Sequence, residues 1–459
     1  KKAFHRTAMR TVVSAALVAV LVGTCQAYVA PVAMRPVAGS RQGVSMKLGG
    51  AVPAMGLRSR VQSASLSSVQ GSSFTPAGAQ TIRLTSMDQA RTVGRDITTM
   101  ALEKGQKPII IGLAADSGCG KSTFMRRVTA CFGGECKLNP IGRETNTLIS
   151  DMTTVICLDD YHLNDRAGRK VTGLTALDPR ENNFDLMYEQ VKAIKEGKSI
   201  SKPIYNHVNG TLDENETIEP TPIVIFEGLH PFHDKRVDEL MDFKIYVDIT
   251  PDVKFNWKVQ RDHEERGHSI ESITESIEAR KPDFDAYIDP QKEKADCVIM
   301  VEPTDLAPGD KKTIKVSMIQ VEDVKGYTPS YLWDEGSSIE WTPCGSKLAC
   351  SSPGVKVFYG PDTWAGKPAQ VLGMDGKFDK LDQLVYVEKA LSNTGSKFFG
   401  EVTQKMMAYE GQPGSNDGTG LLQTVCSLKV REIYENLTGK KIEAEEPKAE
   451  KKAAKAGKK

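Results

Sequence analysis

The sequence predicts an α/β fold: a mixed, mainly parallel β-sheet flanked by helices, followed by a β-rich C-terminal extension. Three observations carry this reading. Short apolar runs alternate with longer helical patterns between residues 107 and 301, the order of strands that return through helices. The first run opens into a Gly-rich turn and then a helix. Beyond Lys312 the texture changes to shorter β-like runs separated by Gly and Pro, up to about Val387.

The folded part is expected to begin near Lys107. Residues 108–114 (PIIIGLA) form a buried-strand run, followed by a helix over 121–132. Further strands are expected at 154–158, 223–226, 243–249 and 297–301, each a brief apolar run rich in β-branched residues. Helical patterns occupy 185–196 and 253–266. In the extension, two helices are expected at 396–409 and 421–437, and its strands either join the same sheet or lie beside it. The domain limits that follow are 100–312 for the core, 313–439 for the extension and 440–459 for a solvated Lys/Glu/Ala tail.

The 459 residues carry a net charge of +1, unevenly spread. No Asp or Glu precedes Asp88, while ten of the 60 Lys and Arg do, so the remainder holds 50 basic against 59 acidic residues. An acidic body argues against nucleic acid as the main partner. The acid-free stretch reads as an address. Met9-Arg10, an apolar run from Thr11 to Gly23 and the small residues up to Ala27 give a signal peptide over 1–27. That run is too short to span a membrane comfortably, and no membrane association is expected of the mature form. Residues 28–87, rich in Ser, Ala, Gly and Arg, have transit-peptide composition. The pair resembles the two-part address of plastid proteins in algae with complex plastids, which implies the plastid stroma; an ordinary secreted protein with a linker is the other reading.

Residues 115–123 read ADSGCGKST and sit between a strand and a helix, the context a P-loop needs. Ser117, Gly118, Cys119, Gly120, Lys121, Ser122 and Thr123 are the expected phosphate-binding set. Gly118 and Gly120 let backbone N–H groups turn inward, the helix start adds its positive end, Lys121 reaches the terminal phosphates of ATP, and Ser122 ligates Mg²⁺. The usual first Gly is Ala115, a relaxed form closer to small-metabolite kinases than to GTPases. The run 223–230 (IVIFEGLH) is an apolar strand ending in Glu227, a second candidate for Mg²⁺.

The strand at 154–158 delivers Asp159, placed where α/β folds put ligands and where an acceptor hydroxyl needs a base. Arg166 and Lys170 offer cations to an anionic acceptor, and Tyr205 and His207 add polar groups. Lys258, Arg261, Asp262 and Arg266 share one helical pattern, for which a solvated salt-bridge face is an equal reading.

Taken together, IGLAADSGCGKSTFMRR (111–127), TTVICLDDYH (153–162), KPIYNH (202–207), IVIFEGLHPF (223–232), QRDHEERGHS (260–269), GPDTW (360–364) and PGSNDGTGL (413–421) resemble phosphoribulokinases of plant and algal type, from residue 107 to 437. The resemblance implies a P-loop kinase that phosphorylates ribulose 5-phosphate with ATP and Mg²⁺, giving ribulose 1,5-bisphosphate for the Calvin cycle. Asp159 then matches the family's catalytic base, and Lys121, Asp262 and Arg261 complete the catalytic set. His162, Arg166, Lys170, Tyr205 and His207 match positions that hold the sugar phosphate, Lys258 and Arg266 a lid or transfer-site group, and Glu227 a magnesium-linked carboxylate. The resemblance also implies thioredoxin as a partner, a homodimer, and a complex with glyceraldehyde-3-phosphate dehydrogenase and a small disordered linker protein.

Nine cysteines are present, Cys25 among them in the signal segment. The family uses the positions of Cys119 and Cys157 as a redox switch, and Cys344 and Cys350 match its second pair. A helix start and Lys121 favour Cys119 as the reactive thiol; Cys131 and Cys136 are competing partners. Two other functions remain open on sequence alone: a uridine or other nucleoside kinase, and a mainly scaffolding partner of glyceraldehyde-3-phosphate dehydrogenase.

Overall fold

The computed structural model describes residues 102, 105–132, 137–138, 145–259, 263, 267, 269–342 and 352–443. The leader segments 1–27 and 28–87 lie outside the described residues, as does most of the tail.

The apolar run at the start of the core forms β1 (Ile109–Ala115), buried at every residue. Its alternate side chains feed two cores. Ile109, Ile111 and Leu113 enter one, Ile110 and Ala114 the other, as expected of a strand covered on both faces. Along the chain follow α1 (Lys121–Ala130), β2 (Lys137–Leu138), β3 (Leu148–Ile149), β4 (Thr153–Cys157), α2 (Arg166–Thr172), α3 (Phe184–Lys195), β5 (Ile200–Asn206), β6 (Thr211–Ile218) and β7 (Ile223–Gly228). Next come α4 (Lys235–Asp238), β8 (Phe243–Ile249), α5 (Pro251–Val259), α6 (Ile270–Asp283) and β9 (Cys297–Pro303). The extension supplies β10 (Ile314–Val321), β11 (Tyr331–Leu332), β12 (Ser338–Trp341), β13 (Val355–Trp364), β14 (Lys367–Gly376), α7 (Leu384–Glu388), β15 (Leu391–Ser392), α8 (Glu401–Met407) and α9 (Gly418–Thr438).

One sheet of eleven strands runs β12-β13-β14-β10-β9-β8-β1-β7-β4-β3-β2. Its centre, β9-β8-β1-β7-β4, is parallel. The strands β10, β14, β13 and β12 of the extension continue it antiparallel, so the extension joins the same sheet. Helix α9 packs into the core cluster shared with α1. It is tied to α8 by Arg431, which donates to both oxygens of Glu401 at 2.6 and 2.9 Å.

Several boundaries differ from the sequence expectation by a few residues, and three of them have a local reason. The strand expected to reach residue 158 stops at Cys157, because Leu158–Tyr161 coils into a 3₁₀ turn. The helix expected at 396–409 shortens to α8, since Gly400 takes φ +97° just before it. The helix expected at 253–266 begins instead at Pro251, whose fixed φ suits a first helical turn, and is described as far as Val259.

Candidate active site

Between β1 and α1 the chain turns through Gly118 (φ +86°) and Gly120 (φ +76°), left-handed angles that a side chain resists. Helix α1 therefore starts with no side-chain cap, leaving its first N–H groups open to an anion. Lys121 Nζ rests on the carbonyls of Ala115 and Asp116 at 3.4 and 3.0 Å. Burial alone would depress the Lys121 pKa, but the negative charges of Glu227 and Asp159 help raise it above its ordinary value. Ser122 is exposed on the first turn and Thr123 half-buried beside it. Asp116 is clamped by Lys254 at 2.7 Å.

Glu227 is the last residue but one of β7, in register with Leu113 of β1 on one side and Cys157 of β4 on the other. It is buried, and its Oε2 has no hydrogen-bond partner. Burial raises its pKa, a tendency Lys121 only partly offsets. A buried carboxylate oxygen with nothing to accept, beside a phosphate loop, fits a hard cation that prefers oxygen ligands. Glu227 with Ser122 would hold Mg²⁺.

The 3₁₀ turn after β4 separates two adjacent aspartates. Asp160 points inward, fully buried, and accepts from Lys202 Nζ at 2.5 Å, Tyr205 N at 2.7 Å and Asn146 Nδ2 at 2.7 Å. Lys202, also fully buried, pairs in addition with Glu216 at 2.8 Å. Asp159 stays 31% exposed, with His162 Nε2 at 3.9 Å and His207 Nε2 at 3.7 Å. Burial pushes its pKa up, but His162, Lys121, His207 and Arg280 outweigh that and hold it below the usual carboxylate value. His162 shifts the other way: desolvation lowers its pKa despite Asp159, so it is neutral at pH 7. Tyr205 stands edge-on to both histidines, at 5.4 Å from His162 and 5.1 Å from His207. Arg166 opens α2 and donates to the His207 carbonyl at 3.0 Å, while Lys170 is exposed on the same helix. Lys258 is buried on α5, in a cavity it shares with Asp116 and Arg280.

The sequence model of the phosphoribulokinase / uridine kinase family matches residues 110–307. A chloroplastic phosphoribulokinase from Chlamydomonas reinhardtii is 64% identical over 338 residues, 73% of this chain and 90% of that protein. One from Mesembryanthemum crystallinum is 61% identical over 353 residues, covering 76% and 89%. A phosphoribulokinase from Synechocystis is 54% identical over 331 residues, covering 72% and 95%. The chain belongs to the phosphoribulokinase family, in its plant and algal form. It is a kinase that transfers a phosphoryl group to an alcohol. The plant and algal relatives match a longer stretch than the family model.

Among phosphoribulokinase-like residues read from the sequence, Arg261, Asp262, Arg266, Cys344 and Cys350 lie outside the described residues. The helix start and Lys121, which alone would favour a reactive Cys119, are not the largest influences on it in this conformation. Burial and the negative charge of Asp116 outweigh Lys121 and push the Cys119 thiol up to about 12. Cys157 is likewise buried and raised, chiefly by desolvation. Cys131 sits at the far end of α1, about 15 Å away along the helix axis, and cannot reach Cys119 while α1 is intact.

Sequence reading missed Arg169, which donates to the Tyr205 hydroxyl at 2.7 Å and lies over its ring; its only signal was the i+3 spacing from Arg166. It also missed Arg280 on α6, whose charge acts on both Asp116 and Asp159 although nothing in the local sequence links them. Arg280→Ala is expected to raise the Asp159 pKa. A base must be ionised to accept a proton, so the acid limb of the kcat/KM profile should move to higher pH. A limb that stays in place would remove Arg280 from the field acting on Asp159.

Proposed function

We propose that this chain transfers the γ-phosphoryl group of ATP to the C1 hydroxyl of ribulose 5-phosphate, forming ribulose 1,5-bisphosphate in the plastid stroma as a Calvin-cycle step. The observation that carries the reading is the nearness of Asp159 to Lys121: each charge shifts the pKa of the other, so a carboxylate held ionised lies close to a phosphate-seeking ammonium. Asp159 takes the hydroxyl proton while Lys121 and the loop N–H groups stabilise charge on the moving phosphoryl group. Mg²⁺, which Glu227 and Ser122 would hold, would supply neutralisation of the phosphate charge. Arg166, Lys170, Tyr205, His207 and neutral His162 bind and orient the sugar phosphate, Asp262 and Arg261 complete the catalytic set, and Lys258 and Arg266 belong to a lid or transfer-site group. ADP release by a chain truncated to start near Asp88, with ribulose 5-phosphate against uridine, tests the reading. Turnover with uridine alone would replace it by the nucleoside-kinase alternative.

A redox switch belongs to the same proposal. Cys157 Sγ, an Asp159 oxygen and a His207 ring nitrogen lie within 4.8 Å of one another, so chemistry at this sulfur touches the base. Strand β7 lies between β4 and β1, so the strands leading to Cys157 and Cys119 are two ladder spacings, about 9.5 Å, apart. A bond between the two sulfurs therefore has to draw the phosphate loop from its place. Mild oxidation is expected to remove activity, a dithiol or reduced thioredoxin to restore it, and bound ATP to slow the loss. Peptide mapping should find the Cys119–Cys157 disulfide; a Cys119→Ser variant inactivated just as easily would end this reading. The homodimer, the oxidised complex with glyceraldehyde-3-phosphate dehydrogenase and a linker protein, and the two-part leader rest on the resemblance and leader composition.

A further inference from the structure

Three metal-ligating groups of different chemistry meet at the end of β4. Cys157 Sγ, a carboxylate oxygen of Asp159 and a ring nitrogen of His207 all lie within 4.8 Å of one another. A fourth donor stands beside them. His162 Nε2 is 3.9 Å from Oδ1 of Asp159, while His207 Nε2 is 3.7 Å from Oδ2. Three of the four come from one short stretch: Cys157 closes β4, Asp159 lies in the 3₁₀ turn and His162 follows it. His207 comes from the turn after β5. Tyr205 stands edge-on to both imidazoles.

Phosphoryl transfer calls for the carboxylate and the imidazoles but has no use for a sulfur. One thiol, one carboxylate and two imidazoles are the donors of a borderline-soft cation such as Zn²⁺, whereas Mg²⁺ takes oxygen ligands. The spacing agrees with this. Zinc bonds to sulfur, nitrogen and oxygen place tetrahedral ligand atoms about 3.3–3.8 Å apart. The histidine contacts to Asp159 are already near that spacing, and the remaining gaps close with shifts of about 1.5 Å or less. His207 is exposed and can make such a move, while Cys157 is buried and forms the floor. The local charge favours a dication. A Cys157 thiolate, Asp159 and Glu227, which is in register with Cys157 on the neighbouring strand, outnumber the cations Lys121 and Arg280.

We infer that Cys157, Asp159, His207 and His162 form an inhibitory site for a borderline-soft divalent cation, for which Zn²⁺ is the probe. On binding, the thiol proton leaves to solvent and the sulfur coordinates as thiolate, as metal-bound thiols do. Asp159 is then held in a metal bond and cannot take the hydroxyl proton, and both histidines turn from the sugar phosphate to the metal. The phosphate loop is not involved. Zinc and the sugar phosphate therefore exclude one another.

Metal binding needs no turnover; only its inhibitory consequence rests on the kinase reading. The reduced whole chain is titrated with Co²⁺, whose sulfur-to-metal charge-transfer band reports a thiolate ligand, and then with Zn²⁺ in competition. Wild type should show the band, Zn²⁺ should abolish it, and a large excess of Mg²⁺ should not. Cys157→Ser should lose the band and weaken Zn²⁺ by more than the about 10- to 100-fold that loss of an outer-shell partner costs. Cys119→Ser should keep both. His207→Gln should keep the band yet bind Zn²⁺ as weakly, and it carries the test should Cys157→Ser fail to fold. Ribulose 5-phosphate should weaken Zn²⁺ binding to the wild type. A band untouched by Cys157→Ser, a zinc affinity untouched by His207→Gln, displacement of Zn²⁺ by Mg²⁺, or ribulose 5-phosphate that binds without weakening zinc each overturns the inference and leaves the kinase reading standing. A chain that binds zinc in this pattern but turns over no ribulose 5-phosphate keeps the metal site and removes the kinase reading.

Discussion

Asp159→Asn should bind nucleotide as the wild type does and turn over about 10²–10⁴-fold more slowly, the usual cost of losing a general base. The amide keeps the shape and can still accept a hydrogen bond from the sugar hydroxyl, but it cannot take the proton. The surroundings make this a sharp test. Asp159 lies beside two histidines, and with Lys121 and Arg280 they hold its pKa below the ordinary value. It is therefore fully ionised at neutral pH and remains so well into acid. A carboxylate of lowered pKa is a weak base toward a free alcohol, which suits a loose phosphoryl transfer. In such a reaction the hydroxyl becomes strongly acidic only late, once its oxygen bonds to phosphorus. The loss should appear in kcat, with little change in nucleotide affinity, because the base acts in the transition state. Turnover within a few-fold of wild type would remove Asp159 as base.

The parts of this site that were legible in the sequence are those whose chemistry is local. A strand, a Gly-rich turn and a helix in succession place Lys121 and Ser122 without any long-range information, and apolar strands that end in acids place Asp159 and Glu227. The seven motif stretches likewise lie each within a few residues. What escaped was set by neighbours distant in sequence. Nothing in residues 116–123 announces that packing from other elements will bury Cys119 and push its thiol up. Local helix and lysine arguments gave the opposite sign. Arg169 and Arg280 were hidden because their partners, the Tyr205 ring and the Asp159 carboxylate, belong to other elements. The attachment of the extension to the same sheet was undecided for a related reason: β10 pairs with β9 along one edge and β14 along the other, and only that register fixes it.

Nowhere is this dependence stronger than at Lys202. Lys202→Met should destabilise the fold by about 3–5 kcal/mol, the cost of leaving buried charges without their counter-ion. For a chain of this size that lowers Tm by about 4–7 °C. The side chains of Lys202, Asp160 and Glu216 are all shut off from solvent, and the one ammonium serves two carboxylates at 2.5 and 2.8 Å. Methionine fills the space of the aliphatic stem but leaves Asp160 and Glu216 facing each other. Both carboxylates have other partners to keep: Asp160 holds Tyr205 N and Asn146, and Glu216 accepts from Thr145 and Thr147. The first of these matters to chemistry, because Tyr205 N is what pins β5 beneath the 3₁₀ turn that presents Asp159. The surviving folded fraction should therefore also show a raised KM for the sugar phosphate, as Tyr205 and His207 lose their register with the base. Neutralising the carboxylates as well, in Lys202→Met with Asp160→Asn and Glu216→Gln, should recover most of the lost stability, since an uncharged cluster carries no unpaired charge. Thermal unfolding of the single and triple variants decides the matter. A single variant as stable as wild type would mean that the three groups do not act as one buried ion network.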